Sequence, residues 1–257
     1  MKKLILLIVA ACMTCTAAFA QTVKPFKEGE RAVFLGNSIT DGGHYHSYIW
    51  LYYMTRFPDM PIRVFNGGIG GDTAYDMNKR LDGDIFAMKP SVLMVTFGMN
   101  DSGYFEYNGD KLKEFGEQKY QESIKNYQQM EKRFKDLPDT RIVMVGTSPY
   151  DETVQLKENT PFKTKNETIK RLVEYQKESA AKNNWEFTDL NAPMTAINQQ
   201  YQQKDPTFTL CGSDRIHPDN DGHMVMAYLF LKAQGFVGKE VADMEINANK
   251  KQAVKSE

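Results

Sequence analysis

Short runs rich in branched apolar residues recur along the chain, at Arg31 to Leu35, Ile62 to Phe65, Ser91 to Phe97 and Arg141 to Val145, with a weaker one at Trp185 to Leu190. Runs of this length predict buried strands. Between them, longer segments place apolar residues at helical spacing. One carries Ile124, Tyr127, Met130, Phe134 and Leu137, and a second is led by Ile169, Leu172 and Val173. The second follows Thr164-Lys165-Asn166-Glu167, which has the form of a capping box. A last helix, at about Asn220 to Ala233, is nearly all apolar from Met224 to Leu231, so it is expected to be packed rather than amphipathic. Strands alternating with helices predict a parallel sheet covered on both faces: a three-layer α/β/α sandwich with a central, mainly parallel five-stranded sheet.

The two ends of the chain depart from this alternation. Met1-Lys2-Lys3, an apolar run from Leu4 to Ala11 and the small-x-small Ala18-Phe19-Ala20 before Gln21 have the form of a secretory signal peptide, residues 1–20. The run is too short for a membrane-spanning helix, which needs roughly 20 apolar residues. The expected location is therefore periplasmic or extracellular. A lipoprotein-like Val9-Ala10-Ala11-Cys12 offers anchoring through Cys12 as the alternative, but the apolar core before it is unusually short. Residues 21–238 are expected to form one domain. In the extension 239–257, Val241 to Asn247 is a candidate edge strand and Ala248 to Glu257 a polar tail.

Removing the leader changes the chemistry available to the rest. Cys12 and Cys15 go with it, so Cys211 alone remains and no internal disulfide can form. Lys2 and Lys3 go as well, leaving 30 basic against 33 acidic residues, a formal charge of −3. Such a balance supplies no basic field for nucleic acid. At 41% hydrophobic residues, the composition suffices for a sizeable core.

Chemistry concentrates in the loops after the first three strands: Leu35-Gly36-Asn37-Ser38-Ile39-Thr40-Asp41, Asn66-Gly67-Gly68-Ile69-Gly70-Gly71-Asp72-Thr73, and Phe97-Gly98-Met99-Asn100-Asp101. In an open parallel sheet these carboxyl ends lie along one edge, where ligands bind. A fourth segment, Gly212-Ser213-Asp214-Arg215-Ile216-His217-Pro218, puts a carboxylate three residues before a histidine. One short turn brings Asp214 to the imidazole, leaving the other ring nitrogen to accept a serine proton.

Together the four segments resemble the blocks of the SGNH (GDSL-like) hydrolases, in the family's order and across Gly36 to Pro218. Gly-Asn-Ser-Ile-Thr-Asp resembles the Gly-Asp-Ser-Leu signature, Asn66 to Thr73 the second block, Gly98 to Asp101 the Gly-x-Asn-Asp block, and Asp214 to His217 the terminal Asp-x-x-His. The resemblance implies the flavodoxin-like fold of that family and a serine esterase. Ser38 would be the nucleophile, His217 its base and Asp214 the group orienting that base. The Ser38 and Gly71 backbone N–H groups and the Asn100 side chain would form the oxyanion hole. It implies no cofactor and no metal. The expected substrate is a carboxylic ester, with O-acetyl groups on a saccharide preferred. The alternatives are a lysophospholipase or thioesterase for longer acyl chains, and a glycan-binding protein without turnover. Oligomeric state has no signature in the sequence. Asn37 departs from the family's aspartate and is expected to organise the turn.

Other residues have plainer expected roles. Asp41, Asp72 and Asp101 are read as helix caps or loop braces. His44 and His46 lie near Ser38 in sequence, with surface or capping roles at least as well supported as a place at the pocket mouth. His223 is expected on the last helix without catalytic duty. A metal site from Asp214, His217 and His223 lacks recognisable ligand spacing. Asn166-Glu167-Thr168 matches a glycosylation sequon, which the capping box already explains. Trp50, Tyr52, Tyr53 and Met54 suit a packed helix, with a sugar-facing cleft as the alternative.

Overall fold

The structure is a computed structural model that describes residues 22–158, 160–238, 244–247, 249 and 252–256. The expected leader, with Cys12 and Cys15, lies outside the described residues.

Five strands form the central sheet: β1 (Arg31–Gly36), β2 (Arg63–Gly68), β3 (Val92–Val95), β4 (Arg141–Gly146) and β5 (Glu186–Asp189). Their order is β2-β1-β3-β4-β5 and every pairing is parallel. The five apolar runs thus appear as strands within one to three residues of their expected ends. Along β1, Ala32 and Phe34 enter one core cluster while Val33 and Leu35 enter the other. β3 and β4 divide the same way, with Val92, Met94, Val143 and Val145 on one side and Leu93, Val95, Ile142 and Met144 on the other. Covered faces on both sides are what turn these strands into unbroken apolar runs.

The first cluster is closed by α2 (His44–Arg56), α6 (Asn191–Gln202) and α7 (Asn220–Ala233), through Tyr45, Ile49, Tyr53, Met194, Met226, Ala227 and Phe230. The second is closed by α3 (Ala74–Arg80) and α4 (Leu112–Lys135), through Ala74, Met77, Tyr127, Met130 and Phe134. α5 (Lys165–Lys182) gives Ile169 and Val173 to the first cluster and Ala180 to the second. The three-layer α/β/α arrangement follows.

A four-residue helix, α1 (Ser38–Asp41), follows β1 directly and rests on the end of β2. Gly68 permits that approach. A Cβ there would stand 2.2 Å from the Asp41 nitrogen, 2.7 Å from the Thr40 carbonyl carbon and 2.8 Å from the Asn37 oxygen. All three are backbone atoms, so no side chain can swing aside. Gly68→Ala is therefore expected to lower stability by about 1–3 kcal/mol and to displace Ser38. Urea unfolding beside an activity assay checks both effects, and wild-type values in each would refute the packing argument.

Three expectations are corrected by the structure. Thr164 does precede α5, but its φ is 67° and its side chain caps nothing. A distant carboxylate does that work instead: Glu152 accepts from the Thr164 and Asn166 backbone N–H groups at 2.8 and 2.5 Å. The capping box lies at α3, where Thr73 and Asp76 satisfy each other's backbone donors. Secondly, α7 is not packed all round. Gly222, His223, Met226, Ala227 and Phe230 are buried, whereas Met224 and Tyr228 are about half exposed. A helix in an outer layer has one face toward the core, whatever its composition. Finally, β6 (Met244–Asn247) pairs antiparallel with β7 (Gln252–Ser256), so the expected edge strand belongs to a separate two-stranded sheet and part of the expected polar tail is its partner. A lone strand leaves its backbone groups unpaired, and the following segment satisfies them.

Candidate active site

The carboxyl ends of β1, β2 and β3 lead into the three loops singled out by sequence, and the segment before α7 meets them there. Asn37 caps α1, its Oδ1 accepting from the Ile39 N–H at 3.1 Å, which is the turn-organising role expected of it. Ser38 opens that helix half-buried. Its Oγ lies 2.7 Å from His217 Nε2, and His217 Nδ1 lies 2.6 Å from Asp214 Oδ2. The other Asp214 oxygen accepts from the Ile216 and His217 backbone N–H groups, both at 2.9 Å. One carboxylate therefore shapes the loop and aims the ring. Since Asp214 accepts from Nδ1, Nε2 carries the free lone pair and the Ser38 hydroxyl donates to it.

Electrostatics follow from these contacts. The hydrogen bond to Asp214 raises the His217 pKa above 6.5, against partial burial. Burial pushes Asp214 up, but the bonds from the His217 ring and the two backbone N–H groups outweigh it, and its net shift is downward. Both side chains remain nearly half exposed, so the pair works at a mouth open to solvent.

Gly71 and Asn100 lie on the second and third of these loops. Gly71 has φ +85° and open space where a Cβ would stand, and its neighbour Gly70 lies against Ser38 and Asp41. Neither the Ser38 nor the Gly71 N–H has a partner among the described residues. Asn100 Nδ2 donates to the Asp72 carbonyl at 2.9 Å. Two of these loops are braced by their carboxylates, as expected of Asp72 and Asp101. Asp101 accepts from the Ala74 and Gly98 N–H groups and from the Ser123 hydroxyl, and Asp72 pairs with Arg80 at 2.6 Å. Arg80 also donates to the Gly36 and Gly67 carbonyls, joining the ends of β1 and β2.

A family model described as the GDSL-like lipase/acylhydrolase family matches residues 34–225, most of the chain and all four blocks. The chain belongs to the GDSL-like lipase/acylhydrolase family. That places this GDSL-like protein among carboxylic ester hydrolases. An acetylxylan esterase of Geobacillus stearothermophilus is 28% identical over 225 residues, covering 81% of this chain and 95% of that protein. The crystal structure of an acetylxylan esterase from the same organism has a TM-score of 0.65 at 25% identity, covering 82% and 96% of the two chains. Related structures of that enzyme are described as catalytic mutants at a serine, a histidine and an aspartate. A solved structure of a gut microbial diltiazem-metabolizing enzyme is 85% identical with a TM-score of 0.88. There the match takes in 92% of this chain but only 54% of that one, so this GDSL-like chain spans about half its length.

The remaining histidines of the GDSL-like protein cluster beside the site. His44 is exposed and, with Pro218, Asp219 and Asp221, lines a depression next to His217. His46 is buried, not on the surface, with Nε2 3.2 Å from the Thr40 carbonyl, and burial lowers its pKa. His223 lies on α7 as expected, buried with its ring against His44 and Tyr45. Burial first, then the neighbouring histidines, takes its pKa down to about 4. The conceivable Asp214, His217 and His223 metal set does not fit, because both His217 nitrogens are already engaged. The sequon is not accessible either: Asn166 is buried, its oxygen accepting from the Tyr150 N–H and Asn191 Nδ2. Of the aromatic group on α2, Tyr53 is buried while Trp50 and Met54 are exposed.

Sequence reasoning missed three residues. Arg215, inside the Asp-x-x-His loop, is fully buried at φ 70° and donates to the Asp151 and Val154 carbonyls. It anchors the loop from below. Gly212 at φ +68° allows the same loop to close, since a Cβ there would meet the His217 carbonyl at 2.2 Å. Lys165 is fully buried, its ammonium donating to the Met99 and Gly103 carbonyls and the Ser102 hydroxyl. Burial pulls its pKa down to about 7, against Asp101 and Glu152. Tyr104, on the loop that Lys165 fastens, reaches the Asn100 side chain.

Proposed function

We propose that this chain is a serine acetylesterase that removes O-acetyl groups from carbohydrate. The observation that carries the reading is the continuous line of hydrogen bonds from Ser38 through His217 to Asp214, at 2.7 and 2.6 Å. A serine hydroxyl is too weak a nucleophile near neutral pH without such a base.

In this reading Ser38 Oγ attacks the acyl carbon while its proton passes to His217 Nε2, and Asp214 holds the resulting imidazolium. The Ser38 and Gly71 backbone N–H groups and Asn100 Nδ2 take the charge that develops on the carbonyl oxygen. The C–O bond to the alcohol then breaks, with His217 returning the proton to the leaving oxygen. Water, deprotonated by the same imidazole, attacks the acetyl-Ser38 ester and releases acetate.

The reading draws on two likenesses. One relative is an acetylxylan esterase. The other is a gut microbial enzyme that metabolises diltiazem. The acetyl preference itself comes from the acetylxylan esterase, and the half-exposed His217 and Asp214 leave the mouth of the site open to a bulky alcohol. Export is part of the proposal and rests on the leader-like residues 1–20.

The test is hydrolysis of p-nitrophenyl acetate, butyrate and octanoate, followed by acetylated xylo-oligosaccharide and diltiazem. kcat/KM is expected to fall from acetate to octanoate, with acetate released from the oligosaccharide. Turnover rising toward octanoate would overturn the acetyl preference in favour of a lysophospholipase or thioesterase. Oligosaccharide binding without turnover, together with failure of an organophosphate to label Ser38, would favour a glycan-binding protein.

A further inference from the structure

Asn100 is the one oxyanion donor supplied by a side chain, and a side-chain amide can turn over. Rotated by half a turn, it would present Oδ1, an acceptor, to the developing negative charge. Two contacts bear on its rotation. Asn100 Nδ2 lies 2.9 Å from the Asp72 carbonyl, and Oδ1 lies 2.5 Å from the Tyr104 hydroxyl. A backbone carbonyl only accepts, so the amide nitrogen must face Asp72 and the phenol must donate to Oδ1.

Tyr104 is itself held. Its ring lies over the Lys165 ammonium at 3.9 Å and meets Phe162 edge-on at 6.0 Å between centroids. Lys165 Nζ donates to Met99 O, Ser102 Oγ and Gly103 O, which bracket Asn100 in sequence. The chain from buried cation to ring to hydroxyl to amide therefore ends at the donor. Burial, with Asp214 and Asp101 nearby, raises the phenol pKa, so it remains a donor across the working pH range. A hydrogen bond accepted by an amide oxygen also polarises that amide's N–H groups, strengthening what they donate.

We propose that Tyr104 is the positioning residue of the oxyanion hole, its hydroxyl fixing and polarising the Asn100 amide while Lys165 pins the loop that carries both. The proposal rests on the reading of Asn100 as an oxyanion donor. Tyr104→Phe tests it, because phenylalanine keeps the ring over Lys165 and removes only the hydroxyl.

With p-nitrophenyl acetate, kcat of Tyr104→Phe is expected to fall about tenfold, less than the roughly 10²–10³-fold that follows loss of a whole oxyanion donor. KM should stay within about twofold, since the bond to Oδ1 matters as charge develops. In an Asn100→Ala background the same substitution should change kcat by less than about twofold, because the amide it positions is gone. A Tyr104→Phe enzyme with wild-type kcat would overturn the proposal. So would an equal tenfold loss in both backgrounds, which would mark Tyr104 as a general support of the fold. If Asn100→Ala alone leaves kcat near wild type, the assignment of Asn100 fails and this proposal with it, while the roles of Ser38 and His217 stand on their own variants.

Discussion

Ser38→Ala is expected to lower kcat by roughly 10⁶-fold, the scale seen when a triad nucleophile is removed from a serine hydrolase. The loss falls on kcat and leaves KM nearly unchanged, because the hydroxyl contributes to bond making rather than to holding the ester. Stability should hardly move: Ser38 is half-buried, and its side chain makes its bond to a half-exposed histidine. A residual rate above water is expected from the backbone donors at Ser38 and Gly71, which alanine at 38 preserves. Initial rates on p-nitrophenyl acetate and the mass shift on organophosphate labelling measure both. Equal rates in wild type and variant, or labelling that persists in the alanine protein, would remove Ser38 as nucleophile.

Asp214→Asn is expected to lower kcat near neutral pH by about 10⁴-fold. An amide cannot replace what the carboxylate does here. Asp214 accepts from His217 Nδ1 at 2.6 Å, fixing the tautomer that leaves Nε2 open toward Ser38. The asparagine NH₂ turned toward the ring would favour the opposite tautomer. The pH profile carries a second signature. On the proposed mechanism activity needs neutral His217, whose pKa lies above 6.5 chiefly because of Asp214, so wild-type kcat/KM is expected to fall as pH drops through that raised value. In the variant this acid limb should move to lower pH. A profile unchanged in position would mean that another group sets the limb. The linked effect on folding has the opposite sense: raising the His217 pKa stabilises the folded state below 6.5, and that contribution fades as pH rises through the folded value. Both side chains are nearly half exposed, so solvent screening keeps it small.

The residues legible in the sequence share one property, that the partners deciding their roles are near in sequence or sit in a recognisable block. Asp214 and His217 are three apart, Asn37 caps a helix two residues on, and Ser38 is flagged by its turn. The five strands were legible because both sheet faces are covered, which writes burial into unbroken apolar runs. Where partners lie far off, the sequence was silent or misleading. Lys165 sits in a polar stretch and reads as a solvated lysine, yet its acceptors are more than 60 residues away. Thr164 has the form of a cap, but Glu152 takes the backbone donors across the loop and the chain turns left-handed. His46 looked superficial because nothing local shows that Phe34 and Tyr45 enclose it. α7 misled in another way: composition reports what a helix offers, and the neighbours decide which face is taken.

The bond between Ser38 and His217 joins residues 179 apart, nearly the two ends of the described domain. The segment bearing His217 is set between Arg215, seated under the loop, and α7, packed on α2. During synthesis Ser38 therefore emerges long before His217, and on the proposed mechanism a chain halted anywhere before residue 217 is chemically silent. On that mechanism, esterase activity reports that the segments bearing Ser38 and His217 have met. Any lesion that frees the last helix should silence the enzyme well before the sheet itself comes apart.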